Sequence, residues 1–375
     1  MRIAVTAEGR PGERRVAAVP DTVAPLVHAG HEVVVASGAG LGAQLPDDAY
    51  REAGAVVTAG DAIAGADVVL HVRPLSAQDA ARLRPGAVTI GFLAPGAEPE
   101  AVRALQDAGA TSFAMELVPR ISRAQSMDAL TSQALVAGYW CVLQAAVRLP
   151  RFFPLFMTAA GTVPPAKVLV LGAGVAGLQA IATARRLGAV VQAYDVRPAS
   201  ADEVRSMGAT FLELGLDVLE GAGGYAREMG EDRARRQRDL LAPHVARADV
   251  LITTAAVPGR PAPLLVTTDM VAAMAPGSVV VDLAAESGGN VQGVVAGEEL
   301  SVGPATLVGL QDAASALPVD ASRLYAKNVA NLLRLLLDAE GGLRVDLTDE
   351  VLAGACLTHA GEVRHEPTRL QLEGA

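Results

Sequence analysis

The feature that most constrains this chain is a strand-like segment, Lys167 to Leu171, that runs directly into Gly172-Ala173-Gly174-Val175-Ala176-Gly177 and then into a helical stretch ending near Leu187. Glycines at this spacing do three jobs. Gly172 permits a tight turn, Gly174 lets a pyrophosphate approach the backbone, and Gly177 lets helix and strand pack closely. The helix that starts there offers free amides and the positive end of its dipole to an anion. The next strand-like segment, Val190 to Tyr194, delivers Asp195, 18 residues after Gly177. An acidic group at about that spacing accepts hydrogen bonds from adenosine ribose hydroxyls and repels a 2′-phosphate. NAD(H) is therefore expected rather than NADP(H), although Arg197 stands close enough to offset part of that repulsion.

The surrounding pattern is α/β. In the first third, Arg2 to Thr6, Glu32 to Ala36, Val68 to Val72 and Ala87 to Phe92 read as strands. They alternate with candidate helices at Asp21 to Ala29, Pro46 to Ala53, Ser76 to Arg82 and Glu98 to Ala108. The middle repeats the alternation, with Val250 to Thr254 and Ser278 to Leu283 as further strands. Strict alternation implies parallel sheets covered on both faces. The expectation is two Rossmann-like, doubly wound domains joined by long helices at Met127 to Leu149 and Ala321 to Asp338, with a cleft between them. The first domain is discontinuous, 1–130 plus 321–375, and takes in strand-like pieces near Leu343 to Leu347 and Cys356 to Val363; 131–320 form the dinucleotide-binding domain.

Bulk properties exclude several classes. A mean hydropathy of +0.32 invites a membrane reading. However, Cys141 to Pro165 is broken by Arg148, Pro150, Arg151 and Pro154, and the Leu332 to Leu337 run contains Arg334, so both read as buried soluble helices. Met1 to Thr6 carries no export signal, which points to the cytoplasm. Two cysteines, Cys141 and Cys356, both in apolar surroundings, make a disulfide framework or a cysteine metal site unexpected, and no metal is expected. A net charge of -10 argues against a nucleic-acid partner.

Two polar segments stand out. Arg120 to Asp128 is unusually polar for the entrance to a long helix. A helix starting near Ser126, with Ser126 as its N-cap, sets Asp128 and Thr131 three apart on one face. Capping explains Ser126 and Asp128 structurally; alternatively, Arg120, Gln125 and Asp128, in a cluster that also holds Thr131, hold a carboxamide and ribose and orient a nicotinamide ring. Gly221 to Asp239 combines glycines, Tyr225 and Met229 with the charge run Glu231 to Arg236. It reads either as a solvated loop with a charged helix or as a mobile lid whose Tyr225 and Met229 close over a ligand.

Taken together, Arg120 to Asp128, Gly172 to Arg197, Gly223 to Met229, Ile252 to Thr254 through Pro258 to Pro263, Val281 to Glu286 and Gly288 to Asn290 resemble the alpha subunit, domain I, of NAD(P) transhydrogenase. The resemblance covers nearly the whole chain. It implies a homodimer, NAD(H) bound along Gly172 to Gly177, Asp195, Val196, Arg197, Thr254 and Ala255, and a mobile loop bearing Tyr225 and Met229. It further implies nicotinamide-side contacts from Arg120, Gln125 and Asp128, with Thr131 where serine is expected. Because the chain stops at Ala375, it is similar to the split form, whose membrane-spanning subunit and NADP(H)-binding beta subunit are separate polypeptides. A cytoplasmic subunit peripheral to the inner membrane is expected, active in proton-translocating hydride transfer only with those partners.

Alanine dehydrogenase is the nearest rival and shares Glu13-Arg14-Arg15-Val16-Ala17. That family needs a lysine and an acid/base histidine; the matching stretches here read His71-Val72-Arg73-Pro74 and Gly91-Phe92-Leu93-Ala94-Pro95. Ala94 cannot transfer a proton, and oxidative deamination requires a group that can. A non-catalytic NAD-sensing module is a third reading, against which the Arg120 to Asp128 cluster counts.

Overall fold

The computed structural model describes residues 1–215, 230–257 and 260–374. The chain divides into two compact units, Met1–Gln133 with Ala314–Ala375, and Ala134–Ala313.

In the first unit, six short apolar strands are mutually parallel: β1 (Arg2–Val5), β2 (Glu32–Ala36), β3 (Val56–Thr58), β4 (Val68–Leu70), β5 (Val88–Gly91) and β6 (Thr111–Ala114). The second unit contributes β7 (Phe156–Thr158), β8 (Gly161–Val163), β9 (Lys167–Leu171), β10 (Val190–Tyr194), β11 (Thr210–Phe211), β12 (Val250–Thr253), β13 (Val279–Asp282), β14 (Glu299–Val302) and β15 (Ala305–Gly309). The chain then returns to the first unit with β16 (Cys356–His359), antiparallel beside β6, and β17 (Glu362–Val363), antiparallel beside β16. The first sheet runs β17-β16-β6-β5-β4-β1-β2-β3 and the second β11-β10-β9-β12-β13-β15-β14. Both reverse direction beside their first strand, at β4/β1 and at β9/β12. Ligands bind outside the carboxyl ends of strands at such reversals.

β4, β5, β12 and β13 are buried along their whole length, as continuous Val/Ile-rich runs in parallel sheets require, and so is β6, Thr-Ser-Phe-Ala. Elsewhere the structure departs from the sequence pattern. Leu343 to Leu347 forms no strand beyond one bridge, between Leu337 and Leu343. The helix expected over Ala321 to Asp338 spans Pro318–Leu335, within the first unit, where Tyr325 is fully buried, donates its hydroxyl to the His71 carbonyl at 2.9 Å and stacks on Phe92. Both cysteines are buried and free.

The Ala129–Arg148 helix is the long element expected over Met127 to Leu149. Its first 19 residues carry no charge, and by length and composition it could cross a membrane. Core helices pass the same test, and here Cys141, Val142 and Ala145 pack into the core of the second unit. Gly138 brings this helix against the Val175–Arg186 helix; a Cβ there would lie 2.1 Å from the Ala176 carbonyl oxygen. Alanine outranks glycine in a helix interior by about 1 kcal/mol, but overpacking against backbone costs roughly 1–3 kcal/mol or more. Gly138→Ala is therefore expected to lower the melting temperature by ~2–8 °C, and an unchanged or raised melting temperature in a calorimetric scan contradicts this contact.

Candidate functional site

The second unit holds the glycine turn at the reversal between β9 and β12. Gly172 has φ +99°, and a Cβ on it would come within 2.7 Å of Thr254 Oγ1. A Cβ on Gly177 would lie 1.9 Å from the Gly172 carbonyl oxygen. Those two glycines are required by the protein's own packing. Gly174 is exposed, and a Cβ there would meet nothing within 4 Å, so the open space beside it is room for an incoming group. It is also the N-cap of the Val175–Arg186 helix and supplies no side-chain cap, which leaves the first amides of a 12-residue helix to a ligand. Ala173 is buried, while Val175 and Ala176 line the first turn at the surface. Both the space and the donors fit a dinucleotide pyrophosphate.

Asp195 sits at the end of β10 with its carboxylate almost fully buried. It accepts from the Ala173 amide at 2.7 Å, from the Arg197 amide at 2.8 Å and from Arg197 Nε and Nη2 at 2.9 and 3.0 Å. The carboxylate thus ties the glycine turn to β10, and Arg197 grips it through its guanidinium fork. Val196 packs at the margin of the same core. Thr254 donates its hydroxyl to the Gly172 carbonyl at 3.1 Å. Thr254 and Ala255, Asp195 to Arg197, and Gly172 to Gly177 therefore come together at one edge of the sheet.

Sequence reasoning missed what holds Ala255 in place. Asn290 is fully buried; its amide donates to the Ala255 and Pro263 carbonyls, both at 2.8 Å, and its side-chain oxygen accepts from the Ala255 amide at 3.0 Å. Its backbone amide donates in turn to Asp282 at 2.7 Å, beside those of Ala284 and Val291. Burial pushes the Asp282 carboxyl above its ordinary value, against the pull of these amides. The available signal was Asp282 followed by Gly288-Gly289-Asn290: positive φ of 100° and 78° at the two glycines folds the chain back so that the asparagine meets the aspartate.

In the first unit, Ser122–Met127 is a 3-10 helix and the long helix begins only at Ala129. The expected Ser126 cap is not formed, because the Ser126 carbonyl is engaged by the side-chain amides of Asn328 and Asn331. Asp128 is the cap. One of its oxygens accepts from the Thr131 amide at 2.8 Å and the other from the Thr131 hydroxyl at 2.6 Å. Arg120 and Gln125 are exposed, and Arg123 is paired with Asp349 and Glu350. Tyr225 and Met229 lie outside the described residues, while the charge run forms the exposed start of the Glu231–Val245 helix.

The same unit contains a buried ionic network. Glu13, 1% exposed, accepts from Arg15 Nε and Nη2 at 2.8 and 2.6 Å and from Arg73 Nε at 2.7 Å. Burial alone would raise its carboxyl, but the hydrogen bonds and charge of Arg15, with Arg73, pull it down to about 2. Glu8 accepts from the Val72 and Arg73 amides, and burial pushes it up to about 7. His71 is fully buried and donates from Nδ1 to the Arg73 carbonyl at 2.7 Å; burial pushes it down to about 4, so it is neutral near pH 7. Ala94, which has φ +45°, offers only its backbone where the rival chemistry needs a histidine; its amide and that of Leu93 donate to Glu116.

Two family models cover most of the chain: alanine dehydrogenase/PNT, N-terminal domain, over residues 4–137, and its C-terminal domain over residues 141–366. The chain belongs to the alanine dehydrogenase/PNT family. Within that family it is 46% identical to the first portion of NAD(P) transhydrogenase subunit alpha of Rhodospirillum rubrum, over 97% of this chain and 98% of that one. It is 36% identical to alanine dehydrogenase of Mycobacterium tuberculosis, over 78% and 75% of the two chains. A solved transhydrogenase from Sinorhizobium meliloti matches with a TM-score of 0.86 and 46% identity, covering 98% of this chain and 100% of that one.

Asn290→Ala removes three part-buried hydrogen bonds to the backbone of Ala255 and Pro263, so a loss of ~1–3 kcal/mol in urea unfolding is expected; a loss below the cost of one hydrogen bond would mean that the Ala255 loop holds without it. Glu8 makes a pH-dependent contribution. Its folded value lies above its ordinary 4.5, so the folded state holds the proton more tightly; that stability is complete below pH 4.5 and is lost as the pH rises through about 7. Melting curves should show Glu8→Gln gaining on the wild type between about pH 5 and 8, and a difference independent of pH contradicts the assignment.

Proposed function

We propose that this chain is the NAD(H)-binding alpha subunit of a proton-translocating NAD(P) transhydrogenase, exchanging a hydride with NADP(H) held on a partner subunit. The observation that carries this reading is the near full-length match to a transhydrogenase alpha subunit of the same extent. It is supported by the lack of a usable proton-transfer group at the positions where an amino-acid dehydrogenase needs one. His71 is buried, neutral and locked by its bond to Arg73, and Ala94 has no titratable atom.

Bound NADH supplies the hydride. The chain's own work is to bind, orient and exclude water. Gly172 to Gly177 and the helix amides hold the pyrophosphate, and Asp195 and Arg197 meet the adenosine ribose, where the carboxylate disfavours a 2′-phosphate. Thr254 and Ala255 shape the floor beside the turn. Arg120, Gln125, Asp128 and Thr131 fix the nicotinamide and its ribose; the Thr131 bonds that hold Asp128 in place support this role, because an anchored carboxylate positions a partner better than a mobile one. Tyr225 and Met229 are assigned to a loop that closes over the cofactor. No proton moves through these residues during transfer, so proton movement is coupled through a membrane-spanning partner. A homodimer, docked with that subunit and an NADP(H)-binding beta subunit at the cytoplasmic side of the membrane, completes the reading.

The purified chain with NADH should be inert toward pyruvate plus ammonia and, with NAD, toward alanine, yet reduce an NAD analogue once an NADP(H)-binding transhydrogenase domain is added. Gln125→Asn in that mixture is expected to slow transfer far more than it weakens NADH binding. Turnover with an amino acid by the chain alone would establish the dehydrogenase instead, and binding without transfer in the mixture would favour a sensing module.

A further inference from the structure

The first sheet has a crevice of its own. A cavity of about 430 Å³ opens at the carboxyl ends of β1 and β4, the strands that flank the reversal in that sheet, and Glu8, His71 and Asp79 stand in its wall. It lies wholly within the first unit. Its place is where doubly wound sheets hold ligands, and its volume falls within the range of roughly 300–1,000 Å³ typical of small-molecule sites. Nothing in the hydride-transfer reading uses it.

The wall excludes several ligand classes. In the second unit β9 passes at once into the glycine turn and a helix with open amides, whereas here no helix follows β1 until Pro20. A phosphate thus finds no cradle, and Glu8, Asp61 and Asp79 in the wall would repel it. A cation is matched no better, because Arg10, Arg73 and Arg82 line the same space. Each arginine is paired: Arg10 with Glu98, Arg73 with Glu13, and Arg82 with both Asp61 and Asp79. Among the described residues no group of His, Cys, Asp or Glu is arranged to hold a metal ion. A wall whose charges already answer one another suits a ligand with no charge of its own.

One buried group in that wall is unanswered. His71 is fully buried and gives its Nδ1 proton to the Arg73 carbonyl, so Nε2 presents a lone pair, and that atom has no partner among the described residues. A buried acceptor without a donor is costly, and only an O–H or N–H group relieves it. Glu8 and Asp79 set further acceptors in the same wall, and the arginines supply donors. Ile63 and Leu75, both buried core residues, give the cavity an aliphatic side. Hydroxyls that both donate and accept, joined to a flat apolar face, match this combination.

We propose that the cavity binds a neutral ribonucleoside, its ribose hydroxyls on Glu8, His71 and Asp79 and its base against Ile63 and Leu75, independently of the dinucleotide turn in the second unit.

The test is equilibrium dialysis of labelled adenosine, and of uridine, against the full chain with NAD present at saturation to fill the glycine turn. The expected result is uptake of one equivalent of nucleoside, with adenosine 5′-monophosphate and free ribose both binding more weakly. His71→Phe and Asp79→Leu should each weaken uptake roughly tenfold, about the worth of one hydrogen bond, without changing the rise in melting temperature that NAD causes. Asp79 is half-buried, so its replacement tests the site even where the fully buried His71→Phe variant does not fold. Adenosine that NAD displaces completely had occupied only the dinucleotide turn, and the inference falls. It falls too if neither nucleoside binds, if the monophosphate or ribose binds as tightly as adenosine, or if Asp79→Leu binds adenosine like the wild type. Should the chain fail to bind NAD, the reading above fails, while adenosine uptake lost in Asp79→Leu still upholds this site.

Discussion

Gly177 approaches the Gly172 carbonyl so closely that no side-chain carbon fits between them, and the glycine turn depends on this approach. Strand and helix can be brought this close only if the neighbouring strand end also holds still, because Thr254 occupies the remaining space beside both glycines. Thr254 is fixed by its bond to the Gly172 carbonyl, and the adjacent Ala255 by Asn290, which Asp282 holds from two strands away. A chain of hydrogen bonds thus runs from a buried carboxyl on β13 to the turn after β9. The turn presents its amides outward because the groups behind it are already satisfied, which is the condition for backbone donors to meet an anion without reorganising.

The first unit handles charge differently. Glu13 is deeply buried with two arginines on it, which is tolerable only because each oxygen is fully engaged. The arginines belong to different segments, Arg15 after β1 and Arg73 after β4, so the network fastens the two strand ends that flank the reversal in that sheet. Arg15 also reaches Gln133, whose side-chain oxygen accepts from Nη1 at 2.9 Å.

Much of this was legible in the sequence. β1, β2, β4, β5, β9, β10, β12 and β13 announce themselves as short apolar runs, whereas β3, β6 and β15 were not read; the glycine spacing located the turn because Gly172 and Gly177 each answer a steric demand of the chain's own packing and Gly174 leaves open space. Other elements were hidden for physical reasons. β7, β8 and β11 are two or three residues long and lie at edges or outside the sheets, too short for a period to mark them; β14 alternates polar and apolar residues but is only four residues long, at a sheet edge. Ser126 and Asp128 are equally good capping types; the choice between them was made by Asn328 and Asn331, 202 and 205 residues from Ser126, which claim its carbonyl. The glycine pair before Asn290 marks its approach to Asp282, but its three side-chain bonds go to partners 35 and 27 residues upstream and left no mark beside it.

The discontinuity of the first unit bears on how the chain is made. Synthesis delivers β1 to β6 first, then all of the second unit, and only afterwards the Pro318–Leu335 helix, whose Tyr325 fills the core, and β16, which covers the open side of β6. The segment born first is thus completed last. Throughout the time the ribosome takes to cross the second unit, a buried-type strand remains with an uncovered edge and a core that lacks Tyr325, one of its fully buried aromatic rings. A nascent chain in that state is a natural client for a holdase, and a stop codon soon after residue 313 would cripple the amino-terminal unit while sparing the whole sequence of Ala134–Ala313.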